Sequence, residues 1–222
     1  MTSYLQPQHL VNAYLPAYNA SVATSENGRP YHHGDLRRVL LDEAVASLRE
    51  SGPAALSLRD LARRAGVSHA APAHHFGDKR GLLTAVAAEG FRRLSATLGA
   101  TYKATGDFAE VGVAYVRFAV EQRPYFDVMF RPDLYDPDDP ELVAARSASG
   151  AALYGPAATV SDAPLEAGIA AWALVHGLAT LGLAGNLPPE IGGDLLAAAR
   201  QVTGYLFQAP ERPAKAKKKK KK

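Results

Sequence analysis

Apolar side chains recur three and four residues apart over long stretches of this chain. Between Asp35 and Glu50 they fall at Leu36, Leu40, Leu41, Ala44, Val45 and Leu48, and from Lys79 to about Thr101 at Leu82, Leu83, Val86, Phe91, Leu94 and Leu98. Such spacing gathers them on one stripe of an α-helix and turns the charged positions between them to water. The same period predicts further helices over Phe108 to Gln122, Glu141 to about Leu153, Ala163 to about Leu187 and Pro189 to Phe207. Gly52-Pro53 ends the first helix, and Pro124, Pro132, Pro137, Pro140, Pro156 and Pro188 break the later ones. Neither period-two alternation nor an internal repeat is visible, so the expected fold is all-α.

A different pattern lies between the first two long helices. Leu58, Leu61, Ala62 and Ala65 form a short apolar stripe, with Ser57 placed to cap it and Asp60, three residues on, placed to reach back as the acid of a capping box. Arg59, Arg63 and Arg64 fall on other faces, available to solvent or phosphate. Gly66 supplies the left-handed residue that ends a helix, Val67 turns inward, and Ser68 is placed to cap a second short helix from His69 to about His75. That second helix is nearly free of bulky apolar residues, as suits a segment lying in a groove, and Phe76 anchors it. Two short helices hinged at a glycine are the layout of a DNA-reading helix-turn-helix.

Spacing of that kind is common, but here Gly66-Val67-Ser68 is followed by His75-Phe76, then Asp78-Lys79, then Leu82-Leu83. Over roughly Tyr31 to Leu94 the chain resembles the DNA-binding domain of the TetR repressors. Further on, Trp172-Ala-Leu-Val-His176-Gly177 is similar to the Trp-His-Gly signature of one class of TetR regulatory domain. The resemblance implies a three-helix helix-turn-helix domain over 31–80 and a helical ligand-binding and dimerisation domain over 81–208. It also implies a palindromic double-stranded DNA operator, a homodimer and a small-molecule effector. Within this layout Ser57, Arg59, His75 and Lys79 are candidate phosphate contacts, at helix starts or beside the reading helix. Ser68, His69, Ala70, Ala71 and His74 are candidate base contacts, the alanine methyls suiting thymine methyls. Two positions depart from the family pattern. Ala73 stands where the family usually has an aromatic, and Pro72 removes an amide donor, which predicts an irregular first turn or a helix that begins later.

Charge sharpens the picture. The formal net charge is +3, but seven lysines lie between Lys215 and Lys222, and without them 18 basic residues face 22 acidic ones. Residues 29 to 93 hold 11 Arg or Lys against seven Asp or Glu, whereas residues 94 to 210 hold six against 13. A basic head on an acidic body favours a defined docking orientation on DNA. Residues 1–30 read as a flexible leader, with Arg29 a candidate minor-groove contact, and 209–222 as a disordered Lys-rich tail that either attracts DNA or only aids solubility. With no cysteine, no signal-peptide order and no apolar run of membrane-spanning length, a cytoplasmic protein without a membrane partner is expected. No nucleophile elbow, phosphate loop or converging acid and base set argues for an enzyme, and no cofactor is implied. The rival reading is a nonspecific nucleoid-type DNA binder.

The body carries more aromatic mass than a small helical core requires. Tyr115, Phe118, Phe126, Met129, Phe130, Trp172 and His176 are candidate lining of an apolar effector cavity, with His176, one turn after Trp172, its polar anchor. Ordinary core packing would use the same residues. Bound ligand would shift the helix after Lys79 and change the separation of two heads. No metal is expected, because adjacent histidines on a helix point about 100° apart and neither His32-His33 nor His74-His75 chelates in regular geometry. Small residues from Gly168 to Gly182 and from Ala197 to Gly204 would allow two last helices to pack closely, across a dimer axis or within one subunit.

Overall fold

The computed structural model describes residues 33–207. The leader, Arg29, His32 and the Lys-rich tail lie outside them. The described residues form ten α-helices and one 3₁₀ turn, with no strand among them. In chain order they are α1 (His33–Ala55), α2 (Leu58–Arg64), α3 (Ala71–Phe76), α4 (Lys79–Thr105), α5 (Phe108–Glu121), α6 (Arg123–Met129), α7 (Pro140–Tyr154), the 3₁₀ turn (Gly155–Thr159), α8 (Pro164–Leu183), α9 (Pro189–Gly192) and α10 (Leu195–Phe207).

Helices α1 to α3 pack on one another and on the start of α4, forming a small N-terminal head. Regular helix in α1 breaks at Gly52 (φ 73°, ψ 176°), just before Pro53, as the sequence leads one to expect. The stripe Leu40, Leu41, Ala44, Val45 and Leu48 is buried with Leu61, Phe76 and Leu82. Helix α4 is shared between head and body. Its Leu83 and Val86 close the head, while Leu94 and Leu98 run into a core with Val111, Tyr115 and Val116 of α5. Helix α7 lies along α4, α8 and α10 cover α5, and α6 touches α1, α4 and α5. One apolar core therefore runs from head to body, with α4 as its spine.

Several boundaries move. Helix α6 was expected to be a proline-broken link; instead Pro124 occupies the first turn, where a missing amide leaves no bond unmade. The last predicted helix is two, α9 and α10, joined through Gly193 and Asp194, and the side chain of Asp194 accepts from the amides of Leu196 and Ala197, each at 3.0 Å. Helix α8 also corrects the expectation about apolar runs: at 20 residues and mean hydropathy 1.3 it is long and apolar enough to cross a membrane by length and composition alone. Here it packs against α5, α7 and α10.

Candidate functional site

The helix-turn-helix is built from backbone bonds around Gly66. The φ of 65° at Gly66 turns the chain so that Gly66 donates to the Arg63 carbonyl at 3.3 Å and Val67 to the Ala62 carbonyl at 3.0 Å, closing α2. At the other end of α2 the expected capping box does not form. The Ser57 hydroxyl makes no cap bond, and its carbonyl accepts from Leu61 at 3.0 Å. Asp60 is taken instead by Arg63 at 2.7 Å and Arg64 at 2.8 Å. Charge-assisted bonds to two guanidinium groups outcompete a neutral amide for the same carboxylate. Arg63 first, then Arg64, hold the Asp60 carboxyl below its ordinary range. Arg64 also donates to Glu50 at 3.1 Å, pinning α2 to the end of α1, so it is not available to phosphate as the sequence suggested. Arg59 and Ser57 remain exposed.

Helix α3 starts at Ala71, two residues after His69, a late start of the kind that Pro72 predicts. Proline lacks an amide, so it is tolerated only in a first turn, and the chain places it there. Ser68 to Ala70 become a lead-in turn, with Ala71 donating to the Ser68 carbonyl at 3.0 Å. Ser68 therefore serves the turn through its backbone. Pro72 and Phe76 point inward, with the Arg37 guanidinium 5.2 Å from the Phe76 ring centre. Ser68, His69, Ala70, Ala73 and His74 are exposed on the outer side, and Ala71 and His75 are half-buried.

The turn after α3 is held tightly. Asp78 caps α4 by accepting from the Gly81 amide at 2.8 Å, and a Cβ at Gly81 would lie 1.9 Å from the Phe76 carbonyl oxygen. Only glycine fits that approach. Lys79 donates its ammonium to the Ala54 carbonyl at 2.8 Å, tying α4 to the end of α1. One of its three donors is thus already spent within the head.

In the body, five of the seven candidate cavity residues meet. The Tyr115 hydroxyl lies 2.8 Å from His176 Nδ1 and accepts from Trp172 Nε1 at 3.2 Å. Around them the His176 and Phe130 rings are 4.5 Å apart, Phe126 and Phe130 5.2 Å, and Phe126 and His176 5.4 Å. Helices α5, α6 and α8 supply this cluster, and Phe130 caps α6. Burial pushes the Tyr115 hydroxyl well above its ordinary value and the His176 imidazole below its own. Met129 and Phe118 lie elsewhere. Met129 is buried against Gly90 of α4, and Phe118 borders a separate groove of about 290 Å³ with Arg93, Thr97, Arg117, Glu121 and Gln122. Sequence reasoning missed Phe91 of α4, whose ring stands 5.7 Å from Phe130 and joins the cluster to the spine. Its helical period had assigned it to packing alone.

A second groove of about 230 Å³ lies where head and body meet, lined by Arg37, His75, Phe76, Asp136, Asp139 and Glu141 among others. There the Asp136 amide donates to the Thr84 hydroxyl at 3.0 Å, so the loop before α7 is fastened to α4.

Several small residues of α8 and α10 pack within the chain. Gly168 packs against Tyr154 and Gly182 against Leu195, while Ala171, Ala179, Ala198 and Ala199 are buried inside the chain. Leu165, Ile169 and Leu181 are exposed along α8 at 41%, 49% and 47%, and Ala170 and Ala173 are exposed with them.

Comparison with known proteins agrees with these two halves. Residues 40–86 match the family described as bacterial regulatory proteins, tetR family, and residues 108–209 match the tetracyclin repressor-like C-terminal domain. A solved protein of unknown function from Rhodococcus sp. RHA1 is 35% identical, with 82% of this chain and 100% of that one covered at a TM-score of 0.68. The TetR family transcriptional regulator PfmR from Thermus thermophilus is 23% identical, covering 78% and 99% of the two chains at 0.59. SmeT, solved as a complex with triclosan, is 21% identical and covers 80% and 93% at 0.53. No curated protein matches the chain. A helix-turn-helix head and a helical body, each matched by its own family model in the same order, place this chain in the TetR family of bacterial transcriptional regulators.

Proposed function

We propose that the protein is a ligand-responsive repressor that binds a palindromic operator as a homodimer in the cytoplasm and is released by a small apolar or aromatic effector. The observation that carries this is the outer face of α3. Ala73 and His74 are exposed on a helix whose inner face is fixed by Pro72 and Phe76, and Ser68, His69 and Ala70 are exposed in the turn that leads into it. A short polar-rimmed helix on a rigid support suits insertion into a major groove, with Arg59, Lys79 and the head's basic excess turned to phosphate.

Effector control rests on the ring cluster and its link to α4. Phe130 touches both His176 and Phe91, so a molecule wedged among Phe126, Phe130 and Trp172 would push on the helix that carries the head. SmeT, a protein of this fold, was solved with the aromatic compound triclosan, which supports an aromatic effector here. Dimerisation rests on the exposed apolar side of α8, since an isologous contact would bury it.

The test is selection of duplexes from a random pool by the purified chain. Recovery of a single inverted-repeat sequence with half-sites one helical turn apart is expected. Recovery of unrelated sequences, retained in proportion to length and lost with salt, would instead establish the nucleoid-type binder.

A further inference from the structure

We infer that the ring cluster presents its ligand with one fixed hydrogen-bond donor, His176 Nε2–H, and so selects a neutral aromatic molecule carrying an acceptor oxygen. This rests on reading the cluster as the effector site.

Donor directions follow from Trp172. An indole nitrogen can only donate, so the Tyr115 hydroxyl accepts from Trp172 Nε1. Tyr115 is buried at 1% exposure, and its hydroxyl proton has one acceptor at hand, His176 Nδ1 at 2.8 Å. Were Nδ1 protonated instead, the hydroxyl would receive two hydrogens and bury its own without a partner, the costly arrangement. The imidazole is therefore the neutral tautomer with its proton on Nε2. Burial, which lowers the affinity of His176 for a second proton, acts in the same direction.

Nε2 is left free to donate. It bonds to no described residue, and among the described residues no buried side-chain nitrogen or oxygen lacks a partner, so Nε2 keeps contact with solvent. Flat apolar walls stand beside it, the Phe130, Phe126 and Trp172 rings at 4.5, 5.4 and 5.9 Å from the imidazole. None of the cluster's five side chains bears negative charge at neutral pH, so a cationic ligand would meet an N–H donor with no compensating carboxylate in the cluster.

Two measurements on the full chain test this. Nitrogen NMR of the imidazoles at pH 7.5, with His176 assigned by its loss in His176→Phe and again in His176→Gln, should show Nδ1 unprotonated and Nε2 protonated. A proton on Nδ1, or a charged ring, overturns the inference. Calorimetric titration with toluene, acetophenone and benzylamine should then give acetophenone about fivefold tighter than toluene, as one net hydrogen bond allows, with benzylammonium weakest. His176→Phe should abolish that preference while toluene still binds. Equal affinity for toluene and acetophenone, or tightest binding of benzylammonium, sinks the donor inference and leaves the effector site standing. Failure of all three to bind counts against the effector site itself, and the NMR result still decides the donor.

Discussion

Residue by residue, the functional reading depends on which side chains are already committed inside the protein. Arg64 and Lys79 looked equivalent in the sequence to Arg59, yet one bridges Glu50 and Asp60 and the other holds the Ala54 carbonyl. Glu50 lies 14 residues from Arg64 and Ala54 lies 25 from Lys79, and partners so distant leave no local signature. Ala73 was legible. It is exposed on α3, so Ala73→Tyr should add a contact and tighten operator binding about fivefold, on the order of 1 kcal/mol, in titrations at fixed salt. Equal or weaker binding would remove residue 73 from the DNA surface. The depressed affinity of His176 for protons has a consequence for stability. In the unfolded chain the imidazole takes a proton near pH 6.5, while in the folded chain it resists until lower pH, so the stabilisation is complete above about 6.5 and is lost as pH falls through the folded value. Denaturant titrations should show this loss in the wild type and a smaller one in His176→Phe.

Elements set by strong periodicity were read well, and of those set by a single proline, the late start of α3 was legible and the short helix α6 was not. The stripes of α1 and α4 are wide and uninterrupted, so their positions follow from spacing alone. Helix α3 has no such stripe, and its start was decided by Pro72. Helix α6 has only seven residues and begins with a proline in its first turn, so the sequence looked like a break while the structure uses it to present Phe126 and Phe130 to α8. That short helix touches α1 and α4 as well as α5. It is the element through which an occupied ring cluster would reach the head. Phe130→Ala removes the ring between His176 and Phe91, and is expected to leave operator affinity within about twofold while at least halving the effector's power to release DNA. Anisotropy titrations of the operator complex with and without the effector found by screening measure both. Unchanged release would move the coupling path away from Phe130.

For the whole molecule, the division into a basic head and an acidic body was visible in charge alone, and the helix after Lys79 was legible as the link between them from its length and its long apolar stripe. Its buried positions run from Leu82 into the body at Leu98, so head and body are not independent. The small residues of α8 were legible in the sequence, and which of their two uses each one serves was not. Many of the small ones pack inward, and the larger Leu165, Ile169 and Leu181 are exposed. A charge at the centre of that face should separate the subunits. Light scattering is expected to give a dimer for the wild type and a monomer for Ile169→Asp, with operator affinity at least tenfold weaker because one head then binds alone. A monomeric wild type would place the operator-binding assembly elsewhere.

The central claim is that the outer face of α3 and its lead-in turn reads bases, and it is tested most directly by comparing operator and scrambled duplexes at one salt concentration. The wild type should prefer the operator by about a thousandfold or more, and His69→Ala together with His74→Ala should lower that ratio at least tenfold while changing scrambled-DNA affinity little. A ratio near one, or one that the double substitution leaves intact, would contradict the account.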